Sequence, residues 1–391
     1  MIRIIVASLI GLGMPACQSR TTPGESRHRT DPWAEIPLTQ FDPSLVLGTG
    51  ARGGEDLFGD VTDLATGPDG EIIVLDALNH TVRVFSSAGT ELRRFGRKGR
   101  GPVEFESPIG IARVGIRLVV ADSRLALLTL EGGDAGTNQS VNFGVYEDIQ
   151  SVGPTVAILS RTTIDRASTA TRIARQFAYD RIDVNDSGAR PAPFFVLPDT
   201  IYRVGSYVGE ALLGARPVVT VSPSGDIFFS RGDSLIVNVR RYSGDTARFF
   251  FAPTTPVPTS GRDFDDRVSR RMEIFSRVNQ KVARKQIEAA FRDIPRAEYR
   301  PVIRSMIASY SGSLLIQRSD VTARPFLISG DRTSAEWDML HFTGTPTARF
   351  NFPLGFEPLV FEGCTLIGRF TNDEGEVSVR VYNLPRAASC S

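Results

Sequence analysis

The sequence predicts an all-β protein, a six-bladed β-propeller with one amphipathic helix inserted between its fourth and fifth units. Three observations predict it: a glycine-centred hairpin pattern recurs six times, the strands after it alternate with period two, and only one stretch has helical spacing. The 391 residues are 41% hydrophobic and 23% charged, which excludes a disordered chain and a multi-span membrane protein. Lys and Arg number 45 against 44 Asp and Glu, a net charge of +1, so no global field draws the chain to nucleic acid.

Taken in chain order, Met1 to Cys17 (MIRIIVASLIGLGMPAC) has one positive residue, an apolar run from Ile4 to Leu12 and small residues before a cysteine. This is the three-part pattern of an export signal, too short in its apolar run to span a bilayer. Its end resembles the lipobox of bacterial lipoproteins, with Cys17 as the residue to be lipidated; ordinary cleavage nearby is the alternative. Gln18 after the cysteine, in place of Asp, implies outer-membrane attachment by that resemblance. Residues 18–32 carry no apolar side chain larger than proline and read as a flexible tether. The body is then 33–391.

The six hairpins are Leu64 to Asp76, Ile111 to Asp122, Ile149 to Ser160, Val219 to Ser230, Ile307 to Gln317 and Leu359 to Arg369. Their turn glycines are Gly70, Gly115, Gly153, Gly225, Gly312 and Gly363, spaced 45, 38, 72, 87 and 51 residues apart. A four-stranded blade takes about 40 to 50 residues, so the two long intervals hold insertions. The first two strands of each unit are apolar on both faces, as sheets stacked between neighbours require. Outer strands such as Thr81 to Phe85 and Glu376 to Tyr382 alternate, as half-exposed strands do. Only three strands are evident in the sixth unit, so an N-terminal strand from Trp33 to Leu38, or from Ser44 to Gly48, is expected to complete it.

Between the fourth and fifth units, Val268, Met272, Phe275, Val278, Val282, Ile287, Phe291 and Ile294 recur at steps of three and four with one slip. They predict a helical insertion over 261–295, capped by Ser260 and ended by Pro295. Its apolar stripe is expected to lie across one mouth of the propeller, with Arg270, Arg271, Arg277, Lys281, Arg284, Lys285 and Arg292 in water. A partner or lipid-headgroup surface is the alternative. Trp337 is read as a packing residue of an outer strand.

The segments Asp69 to Asp76, Asn79, VRVF, and FGRKGRGPVEFESP (Phe95 to Pro108) resemble those of exported bacterial six-bladed propellers of the NHL-repeat and TolB-like kind. The ending FEGCTLIGRFTNDEGEVSVRVYNL (Phe361 to Leu384) resembles their last blade. The resemblance spans about Trp33 to Leu384 and weakens in the third unit.

Candidate sites are few. No HExxH, CxxC, Walker loop or GxSxG is present, and the three histidines are scattered. No catalytic residue is assigned, and whether the chain is an enzyme stays open, with a non-enzyme favoured. Ligand-binding candidates are Arg97, Lys98 and Arg100, whose loop can present charge and backbone N–H groups to an anion, with Asp76, Asn79 and His80 on the same face. Carboxylates opening the inner strands, Asp60, Asp63, Glu106, Glu147, Asp148 and Glu357, are the candidates for metal ligation, alongside the plainer role of solvating strand starts. No cofactor is expected, with Ca2+ or another divalent cation as the alternative. Cys364 and Cys390 form an even pair suited to a disulfide in an oxidising compartment, with two unpaired thiols as the alternative.

The functional expectation is an exported, membrane-anchored, non-catalytic binding module. Its partner would be an envelope protein, a peptide or a carbohydrate, with the membrane reached through the lipid and no nucleic acid bound. Its place would be the periplasm-facing or surface side of the outer membrane. The alternative is a metal-dependent hydrolase or lactonase with carboxylates at the channel mouth.

Overall fold

The computed structural model describes residues 33, 35–50, 56–101, 103–122, 126–131, 135–140, 146–165, 170–186, 189–204, 207–250, 256–277, 283–310, 312–319 and 334–385. The export signal, Cys17, the tether and Cys390 lie outside them.

In chain order the strands are β1 (Leu38–Gln40), β2 (Leu45–Leu47), β3 (Val61–Thr66), β4 (Ile72–Asp76), β5 (Thr81–Phe85), β6 (Glu91–Phe95), β7 (Arg97–Lys98), β8 (Glu104–Phe105), β9 (Pro108–Val114), β10 (Arg117–Asp122), β11 (Ala126–Glu131) and β12 (Ala135–Ser140). Next come β13 (Asp148–Val152), β14 (Val156–Ile164), β15 (Arg172–Asp183), β16 (Ala192–Val204), β17 (Tyr207–Gly209), β18 (Val218–Val221), β19 (Ile227–Ser230), β20 (Ile236–Arg240) and β21 (Thr246–Phe250). Two helices follow, α1 (Gly261–Arg277) and α2 (Arg284–Phe291), and then β22 (Ile303–Ala308), β23 (Ser313–Arg318), β24 (Ser334–His341), β25 (Pro346–Pro353), β26 (Phe356–Glu362), β27 (Thr365–Thr371) and β28 (Val377–Asn383).

These strands form six sheets of four or five strands and one two-stranded ribbon, β7 with β8. Each sheet opens with one of the glycine hairpins, and all six turn glycines adopt positive φ, from +54° to +88°. The first strands β3, β9, β13, β18, β22 and β26 together line one central cavity of about 120 Å³. The fold is a β-propeller.

Alternation along each strand explains why the inner strands are apolar on both faces. In β4, Ile72 and Val74 pack with Ile367, Val379 and Val381 of the last sheet, while Ile73 and Leu75 pack with Ile111 and Val120 of the second and with Phe105 of the β7–β8 ribbon. The remaining seams are built the same way: Ala112 and Val119 meet Leu159, Val152 meets Ile227, Phe228 meets Leu314, and Trp337 meets Tyr382. No sheet could bury both faces alone. Trp337 is indeed a packing residue, although its strand β24 is third in its sheet and not the outermost.

The N-terminal segment straddles the seam between the fifth and sixth sheets. Strand β1 pairs in parallel with β25, and β2 pairs antiparallel with β28, Leu45 opposite Val381 and Leu47 opposite Val379. Of the two stretches expected to complete the last sheet, the structure uses the one at 45–47. Between them Phe41 meets Phe350, Phe352 and Tyr382 edge-on at 5.7 to 5.8 Å.

The insertion departs from a single helix across a mouth. Helix α1 starts where expected: Ser260 Oγ accepts from the Asp263 N–H at 3.3 Å, and Asp263 Oδ2 accepts from the Ser260 N–H at 2.7 Å. Val268, Ile287, Phe291 and Ile294 are buried, but against Leu212 and Leu213, in the connection between the third and fourth sheets. None of the residues lining the central cavity belongs to the helices. The stripe is consumed at the periphery because Leu212 is locked there, pairing its N–H with the Pro295 carbonyl and its carbonyl with the Ala297 N–H. Val278, Lys281 and Val282 lie outside the described residues.

Candidate functional site

Antiparallel order sends the connections entering each inner strand, and those joining second to third strands, to one end of the propeller. The hairpin turns go to the other end. All the predicted ligand-binding and metal candidates therefore share the entry end, and the structure gives each a different occupation.

Asp76, fully buried at the end of β4, accepts hydrogen bonds from the N–H groups of Gly59 and Asp60 at 3.0 Å, from the Asn79 N–H at 3.2 Å and from Asn79 Nδ2 at 2.8 Å. It clamps the chain entering β3 to the turn leaving β4. Asn79 is consumed in the same clamp, and His80 closes the turn at φ +52°. Asp122 repeats the device one sheet on, accepting from the N–H groups of Glu106 at 2.7 Å and Ser107 at 3.3 Å. Asp122 is not among the residues predicted for the site, yet the shared endings IVLD and VVAD of two hairpins carry its signal.

The loop expected to cradle an anion is braced from within. Arg97 pairs with Glu104 at 2.6 Å and Arg100 with Glu106 at 2.8 Å, while Glu104 Oε2 accepts from the Gly101 N–H at 2.7 Å. That backbone bond first, and Arg97 second, lower the Glu104 carboxyl. The two arginines are thus neutralised by partners in their own loop, and Lys98 is exposed beside them.

The carboxylates proposed as metal ligands do not converge as a set. Asp60 is exposed, Glu106 holds Arg100, Glu357 holds Arg369 at 2.7 Å, and Glu147 accepts from Thr162 Oγ1 at 2.8 Å. Among the described residues no group of three or more His, Cys, Asp or Glu side chains is placed to hold a metal ion.

Asp63 and Asp148 are the exception, brought together from sheets one and three across the inner strand of sheet two. Asp63 Oδ1 accepts from the Leu64 N–H at 2.8 Å and Oδ2 from the Ile111 N–H at 2.7 Å, so its carboxylate bridges β3 and β9. Asp148 copies the first bond, Oδ1 accepting from the Ile149 N–H at 2.8 Å, and its Oδ2 accepts from Gln150 Nε2 at 3.0 Å. Burial, then the charge of Asp148, raises the Asp63 carboxyl well above the usual range. Burial pushes Asp148 up to about 6.

Cys364 is disulfide-bonded. Its expected partner, Cys390, lies outside the described residues.

No protein-family model matches the chain, and no curated protein matches it in sequence. Solved structures do resemble it in fold. One is a member of the DUF4221 family from Bacteroides vulgatus, at 9% identity and a TM-score of 0.47, covering 84% of this chain and 95% of that one. Another is an exported protein from Bacteroides fragilis, at 11% identity and a TM-score of 0.41, covering 84% and 92%. A third is a catalytically inactive virginiamycin B lyase from Staphylococcus aureus with quinupristin, at 11% and 0.38, covering 84% and 80%. Among the described residues no helix is long and apolar enough to cross a membrane.

Proposed function

We propose that the chain is an exported, lipid-anchored propeller of six blades, closed through β2, that acts as a non-catalytic binding module on its entry face. Export and anchoring rest on the Met1 to Cys17 pattern, and the place proposed is the periplasm-facing or surface side of the outer membrane. The ligand is an envelope protein, a peptide or a carbohydrate.

One observation carries the binding reading: Leu78 is 67% exposed on a turn held rigid by Asp76. Leu57, also exposed, precedes Gly59, whose N–H bonds to the same Asp76 carboxylate. A large apolar side chain presented on a preset backbone costs little entropy to engage, which is what a binding anchor needs. Arg97 and Arg100 of the neighbouring loop are paired with Glu104 and Glu106, so the face offers shape and apolar contact more than a focused field.

A photo-cross-linking residue placed at position 78 in the full-length protein, expressed in its own envelope, tests this. The expected outcome is a discrete adduct from position 78 and none from position 116, an exposed residue on the hairpin-turn face. Adducts from 116 alone, or from neither, would overturn the reading.

A further inference from the structure

We propose that the cleft between the last and first sheets, at the hairpin-turn end, is a second binding site, and that its ligand is a small organic cation with an apolar body. The cleft lies at the end of the propeller opposite Leu78 and goes beyond the binding face proposed there.

The cleft follows from how the ring is closed. Strand β2 begins at Leu45, opposite Val381, so Asn383 at the end of β28 runs two residues past it with no outer strand beside it. Facing this gap the first sheet presents two turns, whose lining residues include Gly67, Gly70, Ser87 and Ala88. Residues this small leave the space open. The result is a cavity of about 520 Å³, within the range of about 300 to 1,000 Å³ that holds small molecules.

Its floor is apolar and its walls are fixed. Leu45, Ile72, Ile367 and Val381 line it with hydrocarbon and belong to the packed seam between the two sheets. The Gly67 N–H donates to the Glu71 carbonyl at 2.8 Å and the Gly89 N–H to the Ser86 carbonyl at 2.9 Å, so both turns are closed by their own backbone. Ser44, just before β2, donates from its N–H and from Oγ to the Val381 carbonyl at 2.8 and 3.1 Å. A ligand that enters a preset cleft orders little of the protein around it.

The sign of the ligand's charge comes from Glu362. Among the described residues lining the cleft it is the only charged one; it is exposed, and no described arginine, lysine or histidine pairs with it. Thr66 and Ser87 add hydroxyls. The adjacent seam shows the contrast. Between the first and second sheets the same end holds a cleft of only about 170 Å³, lined by the longer side chains of Arg93, Arg113 and Ile116, and its carboxylate, Glu71, has Arg93 at 3.7 Å. In the closing seam the described chain supplies neither the bulk nor the cation. An amine or guanidine on a hydrocarbon body brings both: it buries apolar surface on the floor and gives Glu362 a charge-assisted partner. An anion would meet the carboxylate, and an uncharged body would leave it unanswered.

The experiment titrates the full chain by calorimetry with three probes that share one apolar ring: cyclooctylamine, cyclooctanol and cyclooctanecarboxylate. The amine is expected to bind saturably with a Kd of about 1 mM or below, the alcohol several-fold more weakly and the carboxylate not at all. Glu362→Gln should weaken the amine about three- to five-fold and leave the alcohol unchanged. Ser87→Trp, which fills the cleft from an exposed turn position, should abolish binding of both. No saturable binding of the amine would overturn the proposal, as would a carboxylate that binds equally well or amine binding that survives both substitutions. If Ser87→Trp does not fold, Glu362→Gln decides alone, since its side chain is exposed. Neither substitution touches the entry face, so this site and the binding face at Leu78 fail separately.

Discussion

Arg83 and Glu91 form an ion pair at 2.6 Å inside the first sheet, with the arginine only 2% exposed. The guanidinium lies 4.7 Å from the Phe58 ring centre and 5.1 Å from that of Phe85, and donates to the carbonyls of Asp56 and Leu57 at 3.1 and 3.2 Å. It ties the chain arriving from the closing strand to the first sheet.

Replacing Arg83 by Met keeps volume but takes from Glu91 its inner partner, leaving it only Arg94 on the outer side, and strands two carbonyls. Breaking one side of a buried pair costs about 3 to 5 kcal/mol. Urea unfolding should register a loss in that range, and Arg83→Met, Glu91→Gln should recover part of it. Arg94 foremost, and Arg83, hold the Glu91 carboxyl down at about 2. Its stabilisation is therefore present above the ordinary Glu value of 4.5 and fades as pH falls toward 2. That slope should be absent in Glu91→Gln.

Asp76 and Asp122 should be costlier to remove than any charged residue of the 96–106 loop. Asp76→Ala leaves the Gly59, Asp60 and Asn79 N–H groups without their acceptor, a loss of about 3 kcal/mol, and Asp76→Asn about half that. Arg100→Ala, by contrast, removes a pair whose arginine is 77% exposed, and should be indistinguishable from wild type in stability. A reversal of this ranking in chemical denaturation would show that the entry loops are not held by the clamps.

What the sequence disclosed and what it hid divide along range. The hairpins and their glycines were legible because a two-strand turn is decided within a dozen residues. Arg83 was not. Its strand TVRVF alternates like a half-exposed one, yet Val82 through Phe85 are all buried, because Glu91, two carbonyls and two rings give the guanidinium a home inside. The pairing of Asp63 with Asp148 was also hidden: 85 positions separate them, and only stacking of the sheets about the axis sets them beside Gly110. The amphipathic stripe of the insertion was visible, but its docking surface, Leu212 and Leu213, lies in a connection with no periodicity of its own.

Closure gives a further expectation. Strand β2 is only three residues long and leads into Gly48, at φ +82°, where an added Cβ would meet Phe58 Cδ2 at 2.4 Å. Gly48→Ala therefore combines backbone strain with a clash in the seam between the last and first sheets. Leu47→Ala only removes buried apolar surface there, at about 2 to 3 kcal/mol. Gly48→Ala should lower the melting temperature at least as far. In hydrogen exchange, both variants should expose β28 before β27, since β28 is the strand that β2 covers.

The disulfide at Cys364 bears on the lipid anchor, because the chain has three cysteines and Cys17 is the proposed lipid carrier. An acylated Cys17 has no thiol to offer, so Cys390 is the partner to be expected. A bridge of that span removes loop entropy from the unfolded chain equivalent to about 3.5 kcal/mol. Reductant should lower the melting temperature of wild type and leave Cys390→Ser unaffected, the two converging on one value. A non-reducing peptide map should join the fragments holding Cys364 and Cys390. A fragment joining Cys364 to Cys17 would rule out lipidation in that fraction of molecules, and with it the anchor on which the proposed location depends.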